Sequence, residues 1–103
     1  MSDFVKVAAL SDLPPGHKRV VEYDDEEVGL INYQGQVYAI SNVCTHDDGP
    51  LMDGELDGEC IVCPRHGARF NFQTGDYTLP AFAPVPRYRV KVEGDDILIA
   101  PPE

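Results

Sequence analysis

Two short segments, Cys44-Thr45-His46 and Cys63-Pro64-Arg65-His66, constrain this chain more than any other feature: sixteen residues separate them, and each offers one thiolate and one imidazole. Soft sulfur and borderline nitrogen ligands repeated on two loops suit one metal site of mixed ligation. Turn formers bound both segments, Gly49-Pro50 after the first and Pro64 and Gly67 around the second. The stretch between them reads as a hairpin, from Gly54-Glu55-Leu56 through Asp57-Gly58 to Cys60-Ile61-Val62. Such a hairpin can carry both loops to one end of a sheet, which makes Cys44, His46, Cys63 and His66 the candidate ligands of a single site.

The rest of the chain reads as short strands between turns, with no helical period. Arg87 to Glu93 alternates polar and apolar residues without a break, and Gly94-Asp95-Asp96 turns it into Ile97-Leu98-Ile99. Val28 to Tyr33 and Gln36 to Ser41 flank Gln34-Gly35, where glycine can supply the positive φ of a tight hairpin. Lys18 to Tyr23 and Phe4 to Ala8 complete the strand set. Nine prolines and nine glycines fit many short strands and tight turns. The expected class is therefore all-β. Proline concentrates at Pro14-Pro15, at Pro80, Pro84 and Pro86, and at Pro101-Pro102; the acidic run Asp24 to Glu27 is expected to be a solvated turn.

At 103 residues the chain has room for one domain, too small to hold both a metal cluster and a separate catalytic domain. That favours a carrier or binding module over an enzyme. A chain of this size buries roughly two thirds of its unfolded surface, so a bound metal would reinforce a thin core. Eight basic against eighteen acidic residues, a formal net charge of −10, repel phosphate backbones and anionic lipid, which argues against nucleic-acid and membrane roles. The N-terminus lacks a basic segment followed by an apolar stretch, no apolar run approaches a membrane span, and three cysteines do not make a disulfide framework. A reducing cytoplasm is the expected location.

The spacing C-x-H, sixteen residues, C-x-x-H, with Cys63-Pro64-Arg65-His66-Gly67 as its second half, resembles the signature of the Rieske iron–sulfur family. The likeness continues through Gly67-Ala68-Arg69-Phe70-Asn71, Thr74-Gly75, the proline segment 80–86 and the closing hairpin 87–99. It implies a single Rieske domain over residues 1–103: an antiparallel β-sandwich with a small two-loop cluster-binding subdomain over about 42–80. It further implies one [2Fe-2S] cluster, with Cys44 and Cys63 on one iron and His46 and His66 on the other. Neutral imidazoles in place of two thiolates ease reduction, placing such centres between about −150 and +300 mV. High-potential members carry an extra cysteine in each loop and a serine and a tyrosine that donate hydrogen bonds to the cluster and its ligand sulfur. Here Arg65 stands at the second cysteine position, and Ala68 and Phe70 at the serine and tyrosine positions. Six acidic residues and no basic one lie between His46 and Cys63. Both features push the potential toward about −150 mV.

Resemblance to the ferredoxins of multicomponent aromatic-ring dioxygenases implies a monomeric one-electron carrier, not an enzyme. It would run between a flavin-dependent ferredoxin reductase and a terminal non-haem iron oxygenase by transient docking. The alternatives are the small subunit of an assimilatory nitrite reductase, a stand-alone Rieske ferredoxin linked to iron–sulfur assembly, and a zinc-stabilised interaction module. Nitrite reductase subunits often lack some ligands, whereas all four are present here. Zinc accepts two cysteines and two histidines, and Cys60 forms a second C-x-x-C with Cys63, but zinc fingers do not separate two Cys/His half-sites by a hairpin of this length. Cys60 has the opposite strand parity to Cys63 and is expected to be a packed core residue; His17 is expected in a solvated turn.

Overall fold

The computed structural model describes residues 4–23, 25–42, 51–64, 67–78 and 85–101. Within them run β1 (Val5–Ala9), β2 (Lys18–Tyr23), β3 (Glu26–Tyr33), β4 (Gln36–Ser41), β5 (Leu56–Asp57), β6 (Cys60–Val62), β7 (Arg69–Asn71), β8 (Arg87–Glu93) and β9 (Asp96–Ala100). Two 3₁₀ turns, Leu10–Asp12 and Leu51–Asp53, complete the regular structure. β2, β4 and β8 have their predicted bounds. β3 starts earlier than expected, because Glu26 and Glu27 pair with Tyr23 and Glu22 across a turn in which Asp25 has φ of 64°. Half of the acidic run is thus strand; Asp24 lies outside the described residues. The predicted turn at Gln34-Gly35 forms with φ of 55° and 89°, the two-residue geometry that matches strand twist. His17 is exposed, as expected.

All ladders are antiparallel, in a six-stranded sheet of order β1-β9-β8-β4-β3-β2 and a three-stranded sheet of order β5-β6-β7. A short ladder, Ala39↔Tyr88 and Ile40↔Arg87, joins β4 to β8, and at the large sheet's two ends β1 comes back to contact β2. Its two halves enclose one core, built on Leu13, Val28, Leu30, Val37, Ala39, Ile97 and Ile99.

The opposite faces of β3 and β4 carry a second core. Ile31 and Ile40 pack there with Leu51, Met52, Ile61, Cys63, Ala68, Phe70, Phe72 and Val85. Phe72 meets Tyr33 edge-on at 5.5 Å and Tyr38 at 5.3 Å between ring centroids. β3 and β4 are therefore a wall shared by two cores, which is why Val28-Gly29-Leu30-Ile31 is apolar without alternation: each residue of the run faces protein. Burying each Ile or Leu on this wall contributes roughly 1.5–3 kcal/mol. The small sheet and the Leu51–Asp53 turn ride on the outer face, and Cys63 follows directly from the small sheet.

Candidate metal centre

Of the four predicted ligands, Cys63 is among the described residues. Cys44, His46 and His66 lie outside them, as do Gly49, Pro50, Arg65, Pro80 and Pro84. The structure gives the stems of the two ligand segments. Cys63 follows the last residue of β6, and strand parity puts it with Ile61 on the inward face, where the two are 1% and 0% exposed. Its N–H donates to the Ala68 carbonyl at 2.7 Å, and its own carbonyl accepts the Gly67 N–H at 3.0 Å. These bonds close the base of the loop that contains His66, while Ala68 leads directly into β7.

The stem of the first segment is held by Asn42, the residue after β4. Its buried side-chain Oδ1 accepts the Met52 N–H at 2.6 Å, which ties together the two ends of segment 43–50. Its Nδ2 donates to Glu27 Oε1 at 3.0 Å, and its backbone N–H donates to the Glu27 carbonyl at 3.0 Å. Leu51 and Met52 then anchor in the core that contains Cys63, with Met52 lying across Gly29. At Gly54 the first stem meets the second: a Cβ there would stand 1.7 Å from the Val62 carbonyl oxygen and 3.2 Å from Pro64 Cδ. The two stems thus touch at the residues on either side of Cys63. Neither Asn42 nor the steric role of Gly54 was evident in the sequence, where Gly54 reads only as the first residue of the hairpin; an amide at the mouth of a loop is the one local signal for Asn42.

The surroundings are acidic. An open groove of about 660 Å³ lies beside Cys63, lined by Asp53, Glu55, Asp57, Val62, Pro64 and Gly67 among others. Asp57 is paired with Arg69 across the small sheet, while Ala68 and Phe70 are fully buried and bring no hydroxyl. Cys60 differs from expectation. It shares the outer face of β6 with Val62, half-buried rather than in the core, because the inward positions are Ile61 and, just past the strand, Cys63. Burial pushes its thiol pKa up; the Arg69 charge opposes this, and Asp57 and Glu59 add to it.

The sequence matches the Rieske [2Fe-2S] domain over residues 3–89. The chain belongs to the Rieske family. Among curated Rieske relatives, the biphenyl dioxygenase ferredoxin subunit of Pseudomonas sp. strain KKS102 is 32% identical, over 93% of this chain and 90% of that protein. The solved ferredoxin of carbazole 1,9a-dioxygenase from Nocardioides aromaticivorans IC177 superposes with a TM-score of 0.90 at 41% identity, covering 98% of this chain and 100% of that one. A chain in the complex of reduced oxygenase and oxidized ferredoxin in carbazole 1,9a-dioxygenase gives a TM-score of 0.88 at 34% identity, covering 95% and 93%. The cofactor is a Rieske-type [2Fe-2S] cluster, which sets the zinc reading aside. The described residues suit it: a buried cysteine at the base of a closed loop, the two stems in contact, and an apolar core beneath them.

Proposed function

We propose that this chain is a monomeric one-electron carrier holding its [2Fe-2S] cluster on Cys44, His46, Cys63 and His66, between a flavin-dependent ferredoxin reductase and a terminal non-haem iron oxygenase. The observation that carries this reading is the contact of the two ligand-loop stems beside buried Cys63, in a chain that shares nearly its full length with ferredoxin components of dioxygenase systems. The ferredoxin–oxygenase complex among its structural relatives supports the oxygenase as acceptor. When bound, the cluster supplies a site that accepts and releases one electron. The protein's part is positional and electrostatic. Cys63 is fixed by its backbone bonds to Ala68 and Gly67, and the apolar core shuts water out behind it. The carboxylates of the neighbouring groove disfavour added negative charge, which lowers the potential. An acidic surface of net charge −10 suits a cationic docking face, and carrier encounters that bury less than about 1,200 Å² dissociate quickly. Among the described residues no helix is long and apolar enough to cross a membrane; a cytoplasmic location fits thiolate ligands in a reducing compartment.

The test begins with purified protein. It should carry two irons, show a rhombic electron-paramagnetic signal on reduction, and lose that signal in Cys63→Ser and His66→Ala. With NADH, reduction should require a flavin-containing reductase, and an aromatic-ring oxygenase should reoxidise the product. Iron-free material, or a g-tensor typical of four-thiolate ligation, overturns the reading.

A further inference from the structure

We propose that Gly54 is a positioning residue that sets the separation of the two ligand loops, with Asn42 holding the ends of the first loop together. The inference rests on the assignment of Cys44, His46, Cys63 and His66 as ligands. Gly54 does not adopt the left-handed conformation that selects glycine at Gly58, whose φ is 60°. Its requirement is space. With a Cβ placed 1.7 Å from the Val62 oxygen, any side chain must lift the Leu51–Asp53 turn off β6 by about 1 Å or more. The backbone has little room to give. The Gly54 N–H is tied to the Leu51 carbonyl at 3.0 Å, and the Val62 N–H to the Glu55 carbonyl at 2.9 Å. Metal–ligand distances tolerate deviations of only about 0.2 Å, so a shift of that size between the loops cannot be absorbed at the ligands. Asn42 controls the same geometry from the other end. Its Oδ1 bond to the Met52 N–H brings residue 51 back to the mouth of β4 whatever path the intervening segment takes.

Four variants test this against wild-type holoprotein by iron content, g values and the rate of cluster loss to a chelator. Gly54→Ala should load less iron, shift its g values and lose cluster about tenfold faster or more. Gly58→Ala strains the same hairpin but meets nothing within 4 Å. It should lower the melting temperature and leave g values and loss rate unchanged. Asn42→Ala should lose cluster faster, whereas Asn42→Asp combined with Glu27→Gln, which keeps the oxygen facing Met52 and reverses the amide–carboxylate bond to residue 27, should restore retention. A fully loaded Gly54→Ala with wild-type g values overturns the role of Gly54, as does a Gly58→Ala that behaves the same way as Gly54→Ala. If Gly54→Ala does not fold, the Asn42 pair decides, and equal cluster loss in both variants overturns the brace. Wild-type protein without iron overturns the ligand assignment as well, while loaded wild type with unaffected variants overturns the brace alone.

Discussion

Cys60 opens β6 and Cys63 follows its last residue, yet their environments differ completely, because alternation sends Cys63 into the core and Cys60 to the outer face. Cys60→Ala should therefore leave the visible spectrum and iron content intact; loss of colour would contradict the four-ligand set. Since burial raises the Cys60 pKa, the folded protein retains this proton at pH values where the unfolded chain releases it. Its contribution to stability is present below the ordinary thiol range and is lost as pH rises through the raised value. Alkylation of Cys60 in the native protein should consequently need higher pH than alkylation of a free cysteine, which a rate–pH profile with iodoacetamide will check. Ala68 and Phe70 are the second residue-scale lever. Both are buried, and Ala68 accepts the Cys63 N–H through its carbonyl but has no side-chain donor. Ala68→Ser should raise the midpoint potential. One hydrogen bond of about 1–1.5 kcal/mol favouring the reduced state corresponds to about 40–60 mV for one electron. Redox titration of both proteins decides it; an unchanged midpoint would mean that the new hydroxyl does not reach a sulfur.

β3 and β4 do two jobs because their faces look into different cores. Leu30 belongs to the interior of the large sheet, and Ile31, the next residue, to the core beneath the ligand loops. Truncating either to alanine should cost about 2–5 kcal/mol in denaturant unfolding. The cofactor should tell them apart. Ile31→Ala loosens the platform under Leu51, Met52 and Cys63, so cluster retention falls with stability, whereas Leu30→Ala should unfold more easily and keep native g values. Equal effects on the cluster would mean that the two cores are not energetically separate. β7 makes the complementary point. Its three residues carry no periodicity of their own, and it exists because Phe70 pairs with Ile61 and fills the outer core.

At the scale of the molecule, the large sheet has its own interior core and its own hydrogen-bonded ladders, while the small sheet depends on the wall and on the ligand loops. Removing the iron with a chelator under reducing conditions should weaken the protein unevenly. Amides of β5, β6 and β7 should lose hydrogen-exchange protection, while those of β3 and β9 keep most of theirs. Uniform loss across both sheets would show a single cooperative unit held by the cluster.

Two Cys/His segments at this spacing, turn chemistry at Gln34-Gly35 and the alternation of Arg87 to Glu93 were enough to read the family, the ligand candidates and the limits of β2, β4, β6 and β8 from the sequence. Each of these signals lies between near neighbours in the chain, where local sterics and side-chain chemistry act directly. The double-faced wall, the half-exposed position of Cys60, the strand at Arg69–Asn71 and the contact between Gly54 and the Val62 carbonyl were decided by tertiary structure. They depend on which distant segments come to pack together. A glycine chosen for a close approach is indistinguishable in sequence from one chosen for a turn, until the backbone it must admit is in place.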